Sequence, residues 1–321
     1  MRFAFIAKYA DMLPVLPVER LCQIINVSPR GYRAYRNRPL SQSRRKDMMV
    51  LAHIREQFAL SLGGYGRPRM TVELKELGLD VRQRRVGRLM HENSITVKRN
   101  KKFKATTDSN HAFNIGPNLL KRDFHADAPN QKWAAVISYV WTREGWLYLA
   151  VILELHSRRV IGWAVSNRKK RDMAIRALNM AIPLRRPPKG CIHHTDRGSQ
   201  YCSHEYQKIL RHNGCQVSMS GTGNCYDFKQ VRASGLNDPG DHSKAQNAVV
   251  ETFFKKIKAE MLWQRSWRTR RDAEIANFEY INGLYNPRRH HSALGWNSPL
   301  TAELLCNSPV GQYLAFEAKA G

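Results

Sequence analysis

Asp196, Glu251, Lys255 and Lys258 are the residues whose types and spacing suit chemistry. Asp196 closes an apolar, strand-like stretch, "CIHHTDRGSQY", and is followed at once by Arg197 and Gly198. A carboxylate at the mouth of a strand is either a turn residue or a ligand for a hard divalent cation, which takes oxygen donors. Glu251 lies in the helix-like run "NAVVETFFKKIKAEM", residues 247–261, with Lys255 and Lys258 at i+4 and i+7 on the same face. That stripe suits either a solvated, ion-paired helix face or a metal ligand beside a phosphate track. If both acids are ligands, the chemistry is phosphodiester cleavage or transfer with two divalent ions about 4 Å apart, Mg2+ or Mn2+.

The rest of the chain favours a polyanionic partner. It has 321 residues, with 53 Lys and Arg against 26 Asp and Glu, a net charge of +27 and a pI near 10.2. So large an excess repels itself in a compact state and is offset by DNA or RNA. Hydrophobic content of 42% is ordinary for a globular chain. No signal peptide is read, and the lack of an apolar run of about 18 residues and of a dominant basic amphipathic helix argues against a membrane role. Six scattered cysteines without a C-x-x-C pair point to a reducing cytosol and against structural zinc.

Residues 1–97 read as helical and 98–122 as a basic linker. Ser28 with Pro29 marks a helix start. In "MTVELKELGLDVRQRRVGRLMHENSI" one helix ends near Gly78 and Asp80 is expected to cap the next. That second helix carries Arg82, Arg84, Arg85 and Arg88, either a solvated basic face or the reading helix of a helix-turn-helix. From 123 the pattern changes to three strand-like runs with short turns, then alternating helix and strand, then the helix at 247–261. This order predicts a mixed α/β sheet flanked by helices. A helical, basic segment over 266–321 follows. The pair His193-His194 reads as strand-end packing, because successive strand residues face opposite sides.

Several motifs in order, "SYVWTREGWLYLAVILELHSRRVIGWAVSN", "IHHTDRGSQYCS", "SMSGTGNCYD", "NAVVETFFKKIKAE" and "YNPRRHHSALGWNSP", resemble the transposases of the bacterial insertion-sequence family named after insertion sequence 3. The resemblance is to that family's second-frame product, OrfB, and extends to "CQIINVSPRGY", "GGYGRPRMTVEL" and "RRVGRLM" near the N-terminus. It implies an RNase H-like integrase core over 123–265 with three acids and two Mg2+ or Mn2+ ions. It implies cleavage of DNA by water and strand transfer by a 3′-hydroxyl. Asp196 takes the place of the second acid and Glu251 of the third, with Lys255 and Lys258 at positions that hold DNA ends. Transposon ends and target DNA, a homo-oligomeric synaptic complex, a first-frame OrfA partner and a bacterial, nucleoid-associated location are further implications.

The sequence departs from the family twice. The first acid belongs in a strand that here reads "WAAVISY", and Val136 occupies its place. Glu154, Asp123 and Asp127 are nearby acids, each read as an ordinary surface or turn residue. The stretch between Asp196 and Glu251 also exceeds the family's by residues 228–246, a polar insert. The expectation is a transposase impaired at Val136, or else an inactive DNA-binding remnant that competes for element ends.

Overall fold

The computed structural model describes residues 2–12, 17–97, 116–121, 123–220 and 248–307. The insert at 228–246 and most of the linker lie outside the described residues. Two compact units divide at Arg55/Glu56, inside a helix, whereas the sequence pattern groups 1–97 together.

The first unit is helical. α1 (Arg2–Met12), α2 (Val18–Ile24) and α3 (Pro29–Asn37) bury Ile6, Leu21, Cys22 and Tyr32 among themselves. Ser28 caps α3 as the sequence predicts, its hydroxyl accepting from Gly31 N–H at 3.0 Å. α4 (Gln42–Leu60) crosses the division between the units.

In the second unit α5 (Arg67–Glu76) and α6 (Gln83–Glu92) pack through Met70, Leu74, Val86, Leu89 and Met90. Gly78, at φ +80°, ends α5 with Leu79 N–H bonded back to Leu74 O. The next helix starts later than expected. Its N-cap is Arg82, which makes no side-chain cap bond, and not Asp80.

The sheet has the order β3-β2-β1-β4-β5. β1 (Lys132–Thr142), β2 (Gly145–Glu154) and β3 (Val160–Ser166) are an antiparallel meander. β4 (Ile192–Thr195) and β5 (Gln216–Met219) add in parallel beside β1. Parallel addition requires crossovers, which α7 (Arg171–Arg185) and α8 (His204–His212) supply. They cover one face, with Trp133, Ala135, Ile152, Leu178 and Leu210 in that core. Contact there is close: a Cβ on Gly162 of β3 would lie 2.2 Å from Ala177 O of α7.

The other face packs on Ala134, Leu149, Val151 and Leu153. It is covered by α9 (Ala248–Ile257), which continues as a π-helix over Lys258–Leu262, and by α10 (Arg270–Glu279), which continues as a π-helix over Tyr280–Tyr285. The helix expected over 247–261 therefore changes winding at Lys258. A short turn α11 (Asn286–Arg288) and α12 (Pro299–Asn307) follow.

Candidate active site

Asp196 is the first residue after β4. Its Oδ1 accepts from Gly198 N–H at 3.0 Å, and a Cβ on Gly198 would lie 3.0 Å from that same oxygen. The half-buried carboxylate is thus held by the turn, where a side chain at 198 would press on the Asp196 carboxylate and the Gln200 amide.

The last parallel rung between β1 and β4 is Ala135↔Thr195, so the next residues along the two strands are Val136 and Asp196. Val136 pairs across to Val151 and packs against the core that contains Phe253, Phe254 and Ile257 of α9. Strand alternation places 134 and 136 on that face and 133 and 135 on the other. Glu251 belongs to α9, the helix on the Val136 face. Its side chain lies outside the described residues.

The histidines before Asp196 take opposite faces. His193 Nε2 is 2.8 Å from Tyr206 Oη, and His194 Nδ1 is 2.9 Å from Ser218 Oγ. Burial pushes His193 down to about 3 and His194 down to about 4, so both are neutral at ordinary pH.

The two lysines differ in surroundings. Lys255 is exposed, whereas Lys258 is only 5% exposed, with Nζ 5.2 Å from the centroid of the Tyr139 ring. Desolvation pushes Lys258 down to about 8. On α6, Arg82, Arg84 and Arg88 are exposed and Arg85 is half-buried, and Arg88 pairs with Glu92 at 3.0 Å.

Three family descriptions match the chain: an HTH-like domain over residues 44–103 and integrase core domains over 126–225 and 239–299. The 31 kDa protein of insertion element IS600 from Shigella sonnei is 38% identical over 284 residues, 87% of this chain and 96% of that protein. Transposase InsF of insertion sequence IS3A from Escherichia coli K12 is 35% identical over 305 residues, 93% of this chain and 97% of that protein. The chain belongs to the IS3 family of transposases. A solved HTLV-2 integrase catalytic core in complex with magnesium is similar at 15% identity and a TM-score of 0.35, over 55% of this chain and 97% of that one.

Val136, a hydrocarbon, stands next past the rung beside Asp196, and the described acids read as neighbours in the sequence, Glu154, Asp123 and Asp127, are engaged elsewhere. Glu154 is fully buried and both its oxygens are engaged: Oε1 accepts from Asn130 N–H and His156 N–H, and Oε2 from Ser157 N–H and Oγ. It closes the β2–β3 turn. Asp123 is paired with Lys132 at 2.7 Å, and Asp127 lies 3.2 Å from His125.

Sequence reasoning missed the polar interior made by "YNPRRHHSALGWNSP". Arg289 is 1% exposed and paired with Glu260, which also accepts from Tyr280 Oη at 2.7 Å. His290 Nε2 is 3.0 Å from Glu73 and its Nδ1 is 2.6 Å from Trp296 O. Burial alone would lower the pKa of His290, but the hydrogen bond to Glu73 and the charge of Glu76 overcome it and raise the value. Glu73, Glu76 and His290 form the one group among the described residues whose ligand atoms converge, within 4.8 Å of one another. Arg288 already pairs with Glu73 at 3.1 Å, so the group works as an ionic clamp between α5 and the C-terminal segment. The available signal was a run of Arg and His inside an aromatic segment, since buried cations require partners.

Proposed function

We propose that this IS3-family transposase retains the parts that hold DNA and has lost most of its strand-cutting and strand-transfer activity. The observation that carries the reading is Val136, next after the last rung that joins β1 to the strand leading into Asp196. An isopropyl group there neither accepts a hydrogen bond nor coordinates a cation. Removing a ligand shared by two ions is expected to lower the rate by about a thousandfold or more.

Asp196 and Glu251 are the proposed remaining ligands for Mg2+ or Mn2+, which in an intact site would stabilise charge on the attacking and leaving oxygens. Lys255, Lys258 and the α6 arginines Arg82, Arg84, Arg85 and Arg88 are the proposed DNA contacts, supported by position and by the +27 net charge. Self-association on paired element ends and an OrfA partner belong to the same proposal. The domain limits, with the core over 123–265 and the insert at 228–246, belong to the same proposal; the gap between the two integrase-core matches, 226–238, falls largely within that insert, and the second match runs on to 299.

Strand transfer on matched end DNA with magnesium tests the reading: Val136→Asp should raise turnover, and equal turnover of the unaltered chain would sink it. The same valine favours a second reading, in which the chain occupies element ends and competes with an active relative. Co-expression with such a relative should then lower its transposition frequency.

A further inference from the structure

The far half of the β1–β2 hairpin carries an aromatic cluster that the site chemistry does not use. Tyr139 pairs with Tyr148 and Trp141 with Trp146, and strand alternation puts all four on one face. The Trp141 and Trp146 rings meet edge to face at 4.8 Å, and Tyr139 meets Trp146 at 5.1 Å. Trp141 is 59% exposed and Trp146 43% exposed, although indoles contribute most to stability when buried.

The surroundings are cationic. The segment 265–271, "RSWRTRR", runs beside the hairpin tip: Thr142 bridges Trp267 in the parallel sense, and Arg143 N–H donates to Trp267 O at 3.0 Å. Arg270 ties the segment to the hairpin by donating from Nε to Trp146 O at 3.2 Å. Arg143, Arg265 and Arg268 are exposed around this junction. The nearby acid Glu144 accepts from Arg270 N–H at 2.9 Å.

Exposed indoles on a hairpin whose tip region carries exposed arginines suit a polyanion that carries flat aromatic rings. Duplex DNA hides those rings inside the stack, so the matching partner is unpaired DNA. We propose that Trp141 and Trp146 form a stacking platform for unpaired nucleobases, with Arg143, Arg265 and Arg268 taking the flanking phosphates. Trp141 is five residues from Val136 along one strand, about 17 Å away. Strand alternation puts Trp141 on the sheet face opposite Val136, so the bases held there are away from the reacting nucleotide. The inference rests on the DNA-handling function proposed above.

The test measures binding of the full chain to a blunt duplex and to the same duplex with a short oligothymidine overhang, by fluorescence anisotropy and by tryptophan quenching. The overhang should bind about tenfold more tightly and quench the indoles. Trp141→Ala combined with Trp146→Ala should bring that ratio close to one, while Trp141→Phe should keep most of it. An unchanged ratio in the double variant, or no preference in the unaltered chain, overturns the platform alone. Loss of self-association in the double variant with the preference intact also overturns it, by making the patch an interface between copies. Failure to bind either DNA overturns the DNA-handling function as well.

Discussion

Val136 and Asp196 are the first residues past the last parallel rung between β1 and β4. One is hydrocarbon packed on the core beneath α9; the other is a carboxylate held by the Gly198 amide. Restoring an acid at 136 should therefore create a cation site where now there is half of one. Val136→Asp is expected to gain magnesium-dependent or manganese-dependent thermal stabilisation, read as a shift of the unfolding midpoint, together with strand transfer. The acid also exposes the sheet face to unpaired charge, so without metal it should be less stable than the parent by about 1–3 kcal/mol.

Glu154 separates a structural acid from a catalytic one. Glu154→Gln keeps the shape but places an NH2 group against donors from Ser157, or else from Asn130 and His156. The expected cost is about 3 kcal/mol, measured by urea unfolding. Introduced into Val136→Asp, it should leave the metal dependence of any recovered strand transfer intact. Loss of metal response without loss of folding would show that Glu154 is a ligand after all.

Acid should destabilise the core through the two strand-end histidines. Burial holds His193 at about 3 and His194 at about 4, against about 6.5 in an unfolded chain. The unfolded state thus binds more protons as pH falls below 6.5, and stability declines toward pH 4. Between pH 6.5 and 5 each contributes a loss of about 2 kcal/mol. His290, raised by its acidic partners, works in the opposite sense. Denaturant midpoints at pH 7 and pH 5 measure the net slope, and His193→Gln should flatten it.

If Lys258 contacts DNA as proposed, binding should carry a pH dependence on the alkaline side. With its ammonium desolvated to about 8, it loses charge above that pH unless a phosphate restores a proton. Affinity should fall as pH rises from 7 to 9, by at most about tenfold per unit from this group. Lys258→Arg stays charged and should remove that component. An identical pH profile in the variant would rule out a role for Lys258 at the DNA surface.

The sequence by itself determined the order of strands and helices, the Ser28 cap, the opposed faces of His193 and His194, and the family. These are set by local chemistry: alternation along strands, capping hydroxyls, and motifs of short span. It also singled out Val136 as the position where the family resemblance expects an acid. Only the tertiary structure decided that Lys258 is buried over Tyr139, because helical spacing reports which face a residue is on and nothing about what covers that face. Arg82 replaces Asp80 as the cap of α6, and α9 turns into a π-helix at Lys258. Glu260 is held by Arg289 and Tyr280, and Glu73 by Arg288 and His290, across long stretches of chain. A buried charge needs its partner in space, and no local pattern records which distant residue supplies it.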